Sequence, residues 1–161
     1  MSGVKAVKIF KASNRLQIKS GVGEINPAKV ERAELALQNN TENFSVFGLQ
    51  LLSKLESGIE HARNPDRPMQ ERLDGLTQPV MELKANARMF HYALVTDLAN
   101  VMLGFLESVK VLDQDAIEIV AAHYRTLHAI ISAQTKGDGG DGGTKLRREL
   151  EDVCQRYFRK R

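Results

Sequence analysis

Tryptophan is absent from this chain, and only 6% of its 161 residues are aromatic. There are four prolines and one cysteine, Cys154. A single cysteine cannot close an internal disulfide. No CxxC pair or Cys/His cluster offers a zinc site. These shortages exclude a disulfide scaffold and suit a reducing compartment, so a cytoplasmic location is expected with no metal and no cofactor. Long apolar runs are missing as well. The most apolar segment, residues 93–112, is interrupted by Asp97, Asn100, Glu107 and Lys110. It reads as a buried helix and not as a membrane span. The opening MSGVKAVKIFKASNRLQIK is basic but lacks the apolar core of a signal peptide. Net charge is only +3, with the excess at the two ends. That balance gives no reason to expect a nucleic-acid partner.

What is present is helical. Hydrophobic residues make up 42% and charged residues 27%, an ordinary globular composition. A chain of this length buries roughly 70% of its unfolded surface, enough for one domain. Residues 1–25 show no sustained period and read as an irregular arm. Asn26 followed by Pro27 is a helix start, a cap residue before proline at the first helical position. Thr41 is a candidate cap for the next helix. There Phe44, Phe47, Leu51, Leu55, Ile59 and Ala62 recur at spacings of three and four. Asn64-Pro65-Asp66-Arg67-Pro68 stops that pattern. A further pattern runs from Met69 to His91, with Pro79 expected to kink or restart it. Helices over 93–111 and 114–135 follow, the latter capped by Asp113. KGDGGDGG, residues 136–143, reads as a flexible loop, and a last helix is expected over 144–158. Strand alternation and internal repeats are missing. The short connections predict an all-α fold, an antiparallel up-and-down four-helix bundle over residues 26–135. To it are added an N-terminal arm and an extra C-terminal helix.

One helix carries an oddity. At about 100° per residue, Leu73, Leu76, Val80, Leu83, Ala87 and Phe90 form its core stripe. Asp74, Gln78, Met81, Ala85 and Arg88 fall on the opposite, polar face, with Lys84 at its edge. Met81 is therefore an apolar side chain that core packing in this helix does not explain.

The stretch Met81-Glu82-Leu83-Lys84-Ala85-Asn86-Ala87-Arg88-Met89-Phe90-His91 resembles the motif of histidine phosphotransfer (Hpt) domains of bacterial signalling. That motif is His-x-Leu-Lys-Gly, then Ser or Asn, a small residue, and Phe or Leu before a second glycine. Leu83, Lys84, Asn86, Ala87 and Phe90 match it. Met81 stands where the family has its phosphoacceptor histidine, Ala85 at the first glycine and His91 at the second. The resemblance covers residues 26–135 by pattern and implies a four-helix bundle that docks receiver domains or histidine kinases. A thioether has no proton to exchange and forms no stable phosphoadduct, so phosphoryl transfer at residue 81 is chemically excluded. The expectation is a pseudo-phosphotransfer protein of the phosphorelay class, a monomer and not an enzyme. It would bind through Asp74, Gln78, Met81, Lys84, Ala85 and Arg88. Two alternatives stand beside it. One is a scaffold bundle in which the arm or last helix covers Met81. The other is phosphotransfer through His61, His91, His123 or His128, each of which reads as a surface or boundary residue.

Overall fold

A computed structural model describes residues 26–38 and 43–160. The chain divides into two units, Met1–Asn39 and Asn40–Arg161. Among the described residues there are six helices and no strand. The expected irregular arm over 1–25 lies outside them.

The first unit holds α1, Pro27–Gln38. It starts where the sequence places it. The Asn26 side chain accepts from the Ala28 N–H at 3.0 Å, and Pro27 occupies the first turn, where no partner for its missing N–H is needed. Its Val30 and Leu35 are exposed. The division falls after Asn39 and not at residue 26, so α1 belongs to the first unit.

The second unit is a helical bundle. It contains α2 (Phe44–Ala62), α3 (Met69–Met89), α4 (Ala93–Ser108), α5 (Gln114–Ser132) and α6 (Gly140–Arg159). Asn43 caps α2 by accepting from the Ser45 N–H at 3.1 Å, the role the sequence had offered to Thr41. Asp113 caps α5 as expected, accepting from the Ala116 N–H at 2.9 Å. Helix α2 packs on α3 and α5, and α4 packs on the same two. Helix α6 lies on α4 and α5. Leu51, Leu52, Leu55, Leu76, Val80, Leu83, Leu98, Met102, Ile117, Leu127 and Ile131 are almost wholly buried between them. Each such side chain contributes about 1.5–3 kcal/mol by leaving water.

Two devices tighten this core. Gly58 of α2 meets α3 at Gly75, where a Cβ on Gly58 would stand 2.3 Å from the Gly75 carbonyl oxygen. Only glycine permits that approach. Arg72 donates from Nε and Nη2 to the Ala62 carbonyl and from Nη2 to the Leu112 carbonyl. It thereby satisfies an end of α2 and ties the α4–α5 connection to α3.

Several expectations need correction. Phe47 is 40% exposed, and Leu52 takes the core position beside Leu51. Helix α3 does not restart at Pro79, which is buried within it, and it ends at Met89. Helix α4 stops at Ser108, three residues early. The glycine-rich segment is half helix. α6 starts at Gly140, with Gly139 at φ 73 supplying the left-handed entry. Gly143, expected in the loop, is buried against Leu94 and the Asp138 carbonyl. The loop is also tied to the body. Gly137 donates to the His91 carbonyl at 2.7 Å and accepts from the Leu94 N–H at 2.9 Å.

Candidate functional site

The site builds outward from α3. Its core stripe buries Leu76, Val80, Leu83 and Ala87, which fixes the rotation of the helix. That rotation leaves Asp74, Gln78, Met81, Ala85 and Arg88 exposed. Met81 is 56% exposed, a large apolar side chain open to water in the middle of a charged face.

Lys84 is half-buried because its ammonium reaches across to α4 and donates to the Asn100 side-chain oxygen at 2.7 Å. The three-residue connection after Met89 returns the chain beside α3, and this hydrogen bond marks which residues stand level. Between the two helices lies a groove of about 350 Å³. Met81, Lys84, Ala85 and Arg88 line it from α3, and Thr96, Leu103 and Glu107 from α4. All six residues that the sequence placed on the face are thus on one side of α3, and four of them, Met81, Lys84, Ala85 and Arg88, share the groove. Asp74 and Gln78 lie further along. The Asp74 carboxylate accepts from the Gln70 amide at 2.7 Å, and the Gln78 amide donates to Glu82 at 3.0 Å.

The α4 wall was missed by a reading confined to one helix. A signal for it existed. Asn100 and Glu107 interrupt the most apolar segment of the chain two turns apart, so they share one side of that helix.

Helix α6 does not close this face. It packs on α4 and α5 and leaves Met81 open. The N-terminal arm, the other candidate cover, lies outside the described residues.

The histidines separate sharply. His61, His91 and His128 are exposed. His91 ends the α3 corner at φ 65, a left-handed conformation that glycine adopts without cost. His123 is fully buried, which corrects its reading as a surface or boundary residue. The cause is α6, which carries Cys154 to 4.0 Å from His123 Nε2. Nδ1 lies 2.9 Å from the Ile119 carbonyl. A carbonyl can only accept, so the proton sits on Nδ1 and Nε2 faces the thiol. Burial lowers the His123 pKa, only partly opposed by the Ile119 carbonyl. Burial also pushes the Cys154 thiol up to about 11. Both groups are held neutral, so this pair is unsuited to nucleophilic work.

Among the described residues, no group of three or more His, Cys, Asp and Glu side chains is placed to hold a metal ion. No helix among them is long and apolar enough to cross a membrane. Comparison with protein-family models, with curated proteins and with solved structures gave no match to the chain.

Proposed function

We propose that this chain is a non-catalytic docking module, a pseudo-phosphotransfer protein whose α3–α4 face binds a receiver domain or a histidine kinase. The observation that carries the reading is Met81. It is exposed at the centre of a polar face, over a groove, with a fixed cation one turn away. Interfaces commonly place an adaptable apolar side chain at the centre and polar groups at the rim. Here Met81 and Ala85 are the centre, and Asp74, Gln78, Lys84 and Arg88 are the rim.

Two further observations support the phosphotransfer-like arrangement. Helices α2 to α5 pack in sequence around one core, as an antiparallel up-and-down bundle would. His91, at the place of the family's second glycine, holds the left-handed backbone that glycine favours. In this reading the bundle retains the shape of a phosphotransfer surface, and Met81 removes the reaction.

Phosphotransfer through His123 or His91 is disfavoured by place. His123 is closed off by α6. His91 lies ten residues beyond Met81, about 15 Å along a helix axis, too far to serve the same docked partner.

The test is a titration of isotope-labelled protein with receiver domains and histidine kinase cores from the source genome. Shifts confined to residues 74–88 and 96–107 are expected. No binding to any of them would overturn the proposal.

A further inference from the structure

We propose that the Met81 face also binds a second copy of this chain, in an antiparallel dimer whose two-fold axis passes beside Met81. This goes beyond the docking module and uses the same surface.

The argument is a symmetry of spacing. Asp74 and Arg88 stand seven residues either side of Met81, about 10.5 Å each way along α3. Seven residues are nearly two turns, so all three share a line within about 20° per step. Gln78 and Lys84 stand three residues either side. The charge along the strip is therefore antisymmetric about Met81, with a carboxylate at one end, cations at the other and an apolar side chain between. Helix α4 extends the pattern. Asn100 is level with Lys84, and Glu107, two turns on, lies towards the Asp74 end and lines the groove beside Met81.

A second copy turned through 180° about this centre sets Asp74 and Glu107 of one chain against Arg88 and Lys84 of the other. A parallel copy would set like charges together. The pattern thus selects the antiparallel isologous dimer over the parallel one. The charges are available for it. Arg88 and Glu107 join none of the ion pairs among the described residues, and Asp74 accepts from the neutral Gln70 amide. At the axis each Met81 can enter the groove of the other chain between Ala85 and Leu103. Stable dimers bury about 800 Å² on each partner. A strip of this length offers less, so the dimer is weak and concentration-dependent. It competes with any other partner for the face.

The test is sedimentation equilibrium from micromolar to millimolar concentration, at low and high salt, on four forms: wild type, Asp74→Arg, Arg88→Asp and the double reversal. The two-fold makes every contact twice, so each single reversal breaks two pairs. Wild type is expected to dimerise at low salt and weaken at high salt. Each single reversal should weaken the dimer by about tenfold or more, and the double should restore it. Both substitutions are at exposed positions, and unaltered thermal melting confirms the fold. A monomer at every concentration, a dimer indifferent to the single reversals, or a double variant that stays monomeric would overturn the proposal. Receiver titrations below the dimerising concentration report on the docking module alone, so the two ideas fail separately.

Discussion

Two sulfur-bearing side chains of this bundle, Cys154 and Met81, are opposite in kind. Between α5 and α6, Cys154 is buried against His123. On α3, Met81 stands 56% exposed. The first pair has the residue types of a reactive site, yet its surroundings hold both groups neutral and closed. The second has no reactive chemistry, yet it is left in water where an apolar group gains nothing for the fold. Residue type is thus a poor guide here, and placement a good one. The nucleophile-like pair is buried and held neutral, and the inert thioether is the one left open to water, on the face proposed above for docking.

The sharpest break of this comparison is truncation on the closed side. His123→Ala should cost about 2–4 kcal/mol by leaving a cavity under α6, measured by urea unfolding. A loss below about 0.5 kcal/mol would show that α6 packs loosely there.

A pH series tests the same contact without a cavity. The folded-state pKa of His123 lies below its ordinary 6.5, so the unfolded chain takes up the proton first. The stability held by neutral His123 is full above pH 6.5. It declines as pH falls below that value towards the folded-state pKa. In His123→Phe this part of the slope should vanish. A slope unchanged in that variant would assign the acid sensitivity elsewhere.

His91 joins the two regions, since its carbonyl accepts from Gly137 ahead of α6 while its own residue ends the α3 corner. His91→Gly relieves the left-handed backbone but loosens the unfolded chain. The expected net is a gain of about 0–1 kcal/mol, read by thermal melting. A clear loss would mean that the His91 side chain, and not its backbone, supports the corner.

The smallest effect on stability belongs to the open side. Met81→Ala should change unfolding by no more than about 0.5 kcal/mol, yet weaken binding of whatever docks there. A large stability loss would make Met81 a packing residue and remove the contrast between the two regions.

The α3 face was legible because a helix fixes its own faces. Given one apolar stripe, the positions of Asp74, Gln78, Met81, Ala85 and Arg88 follow from 3.6 residues per turn. The same logic set the caps at Asn26 and Asp113. It failed at Phe47, counted in the stripe of α2, and at His123, counted at the edge of the stripe of α5, because burial at such positions is decided by the neighbouring helix. It failed at KGDGGDGG because glycine content argues for freedom in the isolated chain. In the folded chain, Gly143 is buried against Leu94, and Gly137 is bonded at the α3–α4 corner.

By itself, then, the sequence determined the all-helical character, the outward place of Met81 and the exclusion of phosphate chemistry at that residue. Each of these is a local property of spacing or of a functional group. Only the tertiary structure decided that Asn100 holds Lys84, that Leu103, Thr96 and Glu107 complete the groove, and that α6 closes over His123 and leaves Met81 open. Those are contacts between helices distant in the chain, and they depend on which faces meet when the core is buried.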